Sequence, residues 1–350
     1  MRKIKIIPRL GKNLLNYVKS TPAMFMTNIL LTCKCTQNCL QCSIPEQNTN
    51  IPFISAGDFK LIIDRLAKYG TQVINLTGGE PLLHPDLPEI FRLVKEKGFA
   101  RVQLLSNFYA PEKKIDQIIK LLLDHKVSLS CSFDGFGEVA DKLRGARDVA
   151  KIVMRGMEEL DRQNRKRGKP ILTAVNVVVN QQNLHQVPEI IEYIERLGWK
   201  VYIDVYRWSS TNHNEVEFLK IKDFEKLNEV FTIVKKSPVV LTPRWLINGF
   251  DRYLKDDFPK KCPYLDSPTF GSKFFVHPNG DVKVCIGEEI GNILKQSPEE
   301  IFTSEKWEKF IEDFKDCQGC WNACYTPFSS ILNFFKLDGL KTYYKIVMKN

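Results

Sequence analysis

The sequence has no apolar run approaching the ~18 residues that a membrane-spanning helix needs, so no such helix is expected. It also lacks a signal-peptide pattern. Charges interrupt the first stretch, MRKIKIIPRLGKNLLNYVKS, and no small-residue cleavage site follows. There is no internal repeat and no low-complexity tract, and the 43% hydrophobic and 26% charged residues are an ordinary globular composition that argues against a disordered chain. These absences point to a cytoplasmic protein in a reducing compartment. Ten cysteines there are not expected to form a disulfide framework. What is present is 350 residues, room for roughly two domains with full hydrophobic cores. The net charge of +10 suggests an anionic partner: a phosphorylated ligand, a nucleic acid or an acidic membrane surface.

From residue 24 to 236, strand-like and helix-like segments alternate. The strand candidates are Met24–Thr32, Gln72–Leu76, Arg101–Ser106, Val127–Phe133, Leu172–Val179 and Lys200–Val205, several of them nearly continuous in apolar residues. Between them Phe59, Ile62, Ile63 and Leu66 recur at helical spacing after a Ser55 N-cap. Leu87, Ile90, Phe91 and Val94 repeat the pattern before a Gly98 stop, and Ile115, Ile118, Ile119 and Leu122 repeat it again. Pro188 sits in the first turn of a further helix. Six strand–helix units predict an α/β fold with a parallel sheet, too few for a closed eight-stranded barrel. The expectation is a partial (β/α)6 TIM barrel working at its C-terminal strand ends. After residue 237 the pattern changes. Phe274–Cys285 reads as a β-hairpin about an Asn279-Gly280 turn, followed by a helix over 298–314, which predicts a small α+β second domain. The basic run Arg162–Lys169 reads as a solvated helix end and loop.

Nine of the ten cysteines fall into two groups, at 33, 35, 39 and 42, and at 262, 285, 317, 320 and 324. Cys131 stands alone. Clustered cysteines in a reducing compartment indicate metal. Cys35, Cys39 and Cys42 directly follow the first strand, and three thiolates in one short loop can hold three irons of a four-iron cluster. Structural zinc is the alternative, with Cys33 as a fourth ligand. At the end of the second strand stands Leu76-Thr-Gly-Gly-Glu-Pro-Leu83. Its two glycines let the backbone approach a ligand, with the Glu80 carboxylate beside it.

The C-x3-C-x2-C loop after strand one, paired with Gly78-Gly79-Glu80 after strand two, resembles the radical SAM superfamily over roughly residues 24–236. The resemblance implies that Cys35, Cys39 and Cys42 ligate a 4Fe-4S cluster. Its open iron would chelate the amino and carboxylate groups of S-adenosyl-L-methionine. Gly78, Gly79 and Glu80 would hold the methionyl amino group. Asn107 stands where the family often has a polar residue. Ser132, in Ser132-Phe-Asp134-Gly135, and Arg144 would face the ribose or carboxylate, and Asn180 would reach the ribose. The family usually has an aromatic residue before the third cysteine, against the adenine; here it is Gln41. The implied activity is reductive cleavage of S-adenosylmethionine to a 5′-deoxyadenosyl radical. That radical abstracts a hydrogen atom from a substrate, with electrons from a donor such as flavodoxin or ferredoxin.

The second group, Cys262, Cys285, Cys317, Cys320 and Cys324, resembles the auxiliary-cluster domains called SPASM or, in shorter form, Twitch. A full SPASM domain has seven cysteines, and five imply one auxiliary 4Fe-4S cluster on Cys262, Cys285 and two of the last three. Zinc is again the alternative. The expected layout is a basic N-terminal segment (1–23), the barrel (24–236), the auxiliary-cluster domain (237–330) and a basic, aromatic tail (331–350). The substrate stays open between a peptide and a small molecule. A lipid or membrane-linked substrate is the alternative, because Arg2, Lys3, Lys5, Arg9, Lys12 and Lys19 occur without an acid in the first twenty positions and the tail mixes lysines with aromatics. Helices packed on the barrel are the other reading of both termini. A non-enzymatic iron–sulfur or zinc scaffold binding nucleic acid has no need of Gly78-Gly79-Glu80, so nucleic acid is not expected as a partner.

Overall fold

The computed structural model describes residues 8–9, 11–12, 22, 24–46, 50, 52–207, 214–257, 273–284, 288–313, 315 and 321. Six strands, β1 (Met26–Leu30), β2 (Val73–Thr77), β3 (Arg101–Ser106), β4 (Ser128–Ser132), β5 (Thr173–Val179) and β6 (Lys200–Val205), pair in parallel in sequence order. The crossovers are α1 (Ala56–Tyr69), α2 (Leu87–Lys97), α3 (Glu112–His125), the pair α4 (Gly137–Arg144) and α5 (Val149–Lys166), and α6 (Val187–Leu197). Local signals start and stop them. The Ser55 side chain accepts from the Asp58 amide at 3.0 Å, Gly98 ends α2 at φ 68°, and Pro188 lies in the first turn of α6. Ile62, Ile90, Ile119 and Ile194 bury their faces against the outward strand residues Ile74, Leu104, Leu129 and Val177.

The hairpin does not stand apart from this sheet. β7 (Lys273–Val276) pairs in parallel with β1, Met26 opposite Lys273, and continues into antiparallel β8 (Asp281–Val284) and β9 (Glu288–Asn292). One sheet of nine strands results, ordered β6-β5-β4-β3-β2-β1-β7-β8-β9. The β1 edge is thereby covered, and the Asn28 amide clips the join by donating to the Phe274 carbonyl at 3.3 Å. Arg65 of α1 donates to the carbonyls of Ile293 and Gln296 just beyond β9. At the other edge, residues 239–242 follow α7 (Phe224–Lys236) and bond to β6 through Val201 N to Val239 O at 3.0 Å and Leu241 N to Val201 O at 2.7 Å. The barrel thus continues past residue 237 and into α8 (Arg244–Leu254), whose Phe250 packs on Phe231.

The helix expected over 298–314 is two. α9 (Pro298–Ile301) starts on a Ser297 capping box, and α10 (Glu305–Asp313) restarts after Ser304, whose hydroxyl accepts from the Trp307 amide at 3.3 Å. The basic run is solvated as expected: Arg162 pairs with Glu159, Arg165 with Asp161 and Arg167 with Asp124. Most of residues 1–23 and all of 331–350 lie outside the described residues, so the membrane expectation resting on them is not addressed. Arg9, which is described, packs on the barrel. Its guanidinium donates to the Lys97 and Gly98 carbonyls at the end of α2 and lies over the Phe99 ring. Among the described residues, no helix is long and apolar enough to cross a membrane.

Candidate active site

At the C-terminal end of β1 the chain enters the cysteine loop, which is held by backbone on two sides. The Gly79 amide donates to the Thr32 carbonyl and the Glu80 amide to that of Lys34, each at 2.8 Å. This approach is what the glycines permit. A Cβ on Gly79 would lie 2.5 Å from the Cys33 carbonyl oxygen and closer still to that of Lys34. One on Gly78, at φ 140°, would strike the Thr32 carbonyl. On the far side Leu40 donates to the Leu143 carbonyl at 3.1 Å, and Gly145, at φ 58°, packs on the Asn38 carbonyl. Asn214, beyond β6, completes the clamp. Its amide donates to Gln41 O at 2.9 Å and its side chain to Cys42 O at 3.3 Å, while its own carbonyl accepts from the Tyr206 hydroxyl at 2.6 Å.

Inside the clamp, side chains converge from strands β2 to β4. Glu80 is wholly buried. One carboxylate oxygen accepts from Leu82 N at 2.9 Å and the Ser106 hydroxyl at 2.7 Å, and the other from Asn107 N at 2.7 Å. Burial without a countercharge pushes the carboxyl up to about 7, although these three donors pull it back. The Asn107 amide donates to the Thr36 hydroxyl at 3.1 Å and approaches the Cys35 sulfur at 3.7 Å. The next residue, Phe108, adopts φ 53°, a strained setting for a non-glycine residue. Arg144, at the end of α4, is buried in an ion pair with Asp134 and points Nη1 at the Cys39 sulfur, 3.8 Å away. Burial opposes its charge, but Asp134, Cys39 and Cys42 outweigh that and keep it protonated. Asp134 in turn accepts from Val178 N at 2.8 Å, which ties β4 to β5.

The structure brings Cys35, Cys39, Cys42, Gly78, Gly79, Glu80, Asn107 and Arg144 into one neighbourhood. Ser132 lies half-buried at the end of β4, opposite Asn176 of β5. Asn180 turns back on its own chain, donating to Val178 O at 3.1 Å and accepting from Gln182 N at 2.9 Å. Gln41 is 7% exposed and its amide oxygen has no partner among the described residues. Asn214 and Tyr206 escaped the sequence reading because no local pattern ties them to a loop some 170 positions earlier. Cys262, Cys285, Cys317, Cys320 and Cys324 lie outside the described residues.

Cys35, Cys39 and Cys42 are three thiols in one short loop, a donor set that suits three irons of an iron–sulfur cluster, where one zinc ion wants four ligands. Burial raises the Cys35 thiol to about 11, with Glu80, Cys39 and Cys42 adding to the rise, and burial also raises that of Cys42. Cys33 is buried in the core, which raises its thiol to about 11, with Lys283 of β8 pulling it back. Cys131 is a core residue whose thiol burial pushes up to about 12. Three thiols that lose their protons on metal binding, beside a buried guanidinium, suit a cluster carrying net negative charge and leave one metal position without a protein ligand.

Residues 29–194 match the family model of the radical SAM superfamily, and residues 269–324 match that of the SPASM iron–sulfur cluster-binding domain. The AdoMet-dependent heme synthase of Methanosarcina barkeri is 25% identical over 311 residues, covering 84% of this chain and 86% of that protein. The Fe-coproporphyrin III synthase of the same organism is 29% identical over 193 residues, 53% of this chain; the match spans 44% of that protein, less than half its length. The PqqA peptide cyclase of Bradyrhizobium diazoefficiens is 26% identical over 271 residues, 74% of this chain and 66% of that protein. Among solved structures, Streptococcus suis SuiB bound to its precursor peptide SuiA superposes with a TM-score of 0.66 at 14% identity, covering 93% of this chain and 76% of that one. The structure of anSMEcpe with bound AdoMet gives a TM-score of 0.60 at 16% identity, covering 93% of this chain and 98% of that one. These two likenesses establish the shared fold.

Proposed function

We propose that this radical SAM enzyme, whose chain carries the superfamily's core domain followed by a SPASM domain, cleaves S-adenosylmethionine reductively at the cysteine loop. It then takes a hydrogen atom from a peptide or small-molecule substrate. The observation that carries the reading is the convergence of Cys35, Cys39 and Cys42 with Glu80, Asn107 and Arg144 at the C-terminal ends of β1 to β4. The cofactors are a 4Fe-4S cluster and S-adenosylmethionine, with auxiliary iron–sulfur in the SPASM domain. When bound and reduced, the cluster at the cysteine loop would supply the one electron that splits the sulfonium of S-adenosylmethionine into methionine and a 5′-deoxyadenosyl radical.

Each residue has a part in holding that chemistry. Cys35, Cys39 and Cys42 would ligate three irons. Glu80 is the acceptor for the methionyl amino group, and its deprotonated form is favoured once a cation sits beside it. Gly78 and Gly79 keep that carboxylate against the cysteine loop. Arg144 offsets thiolate charge through its approach to Cys39 and, with Ser132, faces the carboxylate or ribose. Asn107 fixes Thr36 and the Cys35 sulfur, and Asn180 shapes the turn after β5 that borders the ribose. Cys262, Cys285 and two of Cys317, Cys320 and Cys324 would hold one auxiliary cluster, and a flavodoxin or ferredoxin would supply electrons. A peptide substrate is favoured by the PqqA peptide cyclases, and a small molecule by the heme synthase.

The test is anaerobic reconstitution with iron and sulfide, then reduction with S-adenosylmethionine present. Formation of 5′-deoxyadenosine is expected. The Cys35→Ala, Cys39→Ala, Cys42→Ala triple variant should form none and keep about half the iron, given one four-iron cluster per cysteine group. A triple variant that keeps all its iron, or still forms 5′-deoxyadenosine, overturns the assignment.

A further inference from the structure

The face of the sheet turned away from the helices is polar, unlike the packed interior of a closed barrel. One row in register across six strands reads Lys283, Phe275, Asn28, Asn75, Gln103 and Ser128. In the strands β3 to β5 the alternate residues Val102, Leu104, Leu129, Cys131, Val175 and Val177 are buried in the helix-packed core. Polar groups on the other face are not all satisfied. The Asn75 side chain donates to Asn28 Oδ1 at 2.9 Å, but its own amide oxygen has no partner among the described residues, and neither has the Ser130 hydroxyl. One row below Gln103 stands Arg101, 6% exposed, whose Nε and Nη2 are both buried and without a hydrogen-bond partner among the described residues.

Two buried guanidinium nitrogens without a partner are costly, so a partner anion is expected. The two orphaned nitrogens also specify its shape. Nε and one terminal nitrogen form the side-on fork of arginine, two parallel N–H donors that match the two oxygens of a carboxylate. No aspartate or glutamate among the described residues fills that place, and the orphaned Asn75 amide oxygen, one row above, suits a ligand with a further hydrogen-bonding group. We infer that Arg101 is an oxyanion-recognition residue on the helix-free face of the sheet, and that the substrate carries a carboxylate which it grips bidentately. The substrate part of the inference rests on the radical SAM reading above. At about 3.3 Å per residue, the Arg101 backbone lies about 16 Å below Ser106, at the opposite end of β3 from the cysteine loop. The carboxylate therefore belongs to a part of the substrate remote from the reacting C–H bond, where binding energy positions the molecule without taking part in the chemistry.

The experiment uses the reconstituted full chain and acetate as the probe, with chloride at equal ionic strength as the control. The melting temperature should rise saturably with acetate and not with chloride. In Arg101→Lys, which keeps the charge and loses the fork, the half-saturating acetate concentration should rise at least about tenfold. Should that variant not fold, the arginine Nε–H signals of the isotope-labelled wild-type chain decide: one signal moving saturably with acetate alone supports the site. Equal responses to acetate and chloride, an unchanged half-saturation in Arg101→Lys, or no arginine signal that moves overturns it. The titration contains no S-adenosylmethionine. A chain that binds acetate but never forms 5′-deoxyadenosine would therefore overturn the reaction and leave the anion site standing.

Discussion

Gly79→Ala tests whether the glycine pair serves the cysteine loop. The added Cβ would lie 2.5 Å from the Cys33 carbonyl oxygen, where ordinary contact begins at 3.4 Å, so that carbonyl must retreat by 0.9 Å. The Lys34 oxygen is nearer and must move further. That larger retreat stretches the 2.8 Å bond from Glu80 N to Lys34 O past about 3.7 Å, beyond hydrogen-bond reach. The neighbouring bond from Gly79 N to Thr32 O belongs to the same ladder. Two buried backbone pairs left unsatisfied cost about 1–3 kcal/mol each, so a loss of about 2–6 kcal/mol is expected. The displaced segment carries Cys35, so the cluster should suffer with the fold. The assays are urea unfolding of the full chain and iron content after reconstitution. Gly57→Ala in α1 is the control: its nearest neighbour would be 3.8 Å away, and a helical glycine replaced by alanine should be neutral or slightly stabilising. If Gly79→Ala matches Gly57→Ala in stability and retains wild-type iron, the close approach is not what the glycine is for.

Two further outcomes follow from the buried charges. Glu80 is held at about 7, above its value in the unfolded chain, so the native state binds the extra proton and stability falls as pH rises from about 4.5 through 7. Wild type minus Glu80→Gln, measured by urea unfolding of the metal-free chain between pH 5 and 8, should decline over that window by up to about 3 kcal/mol; a pH-independent difference would mean that the three donors outweigh burial. Asp134→Asn should cost about 3–5 kcal/mol, because it leaves the Arg144 guanidinium buried beside Cys39 without its counter-ion. Stability within 1 kcal/mol of wild type would refute that pairing.

Much of the fold follows from local chemistry and is legible without coordinates. Arg101–Ser106 and Lys200–Val205 are strands at the residues where β-branched and apolar patterning places them. Ser55, Gly98 and Pro188 act where a cap, a left-handed stop and a first-turn proline are expected, because each satisfies or spares backbone groups within a few positions. The cysteine spacing and Gly78-Gly79-Glu80 were legible for the same reason: both are contiguous. Long-range placement was not. Ser304 divides the expected 298–314 helix by offering its hydroxyl to the Trp307 amide, a competition that apolar periodicity does not register.

Tertiary structure alone decided that β7 extends the barrel sheet at β1, since an unpaired edge is satisfied by any strand of suitable register. It alone brought Arg144 to Cys39 and Asn214 to Cys42, contacts separated by 105 and 172 positions. It also gave the glycines a partner within the chain: they admit the backbone of the cysteine loop. A sequence records which groups can approach one another closely, but the partner in that approach is set by chain segments that the crossovers deliver from far away, and only the folded topology names it.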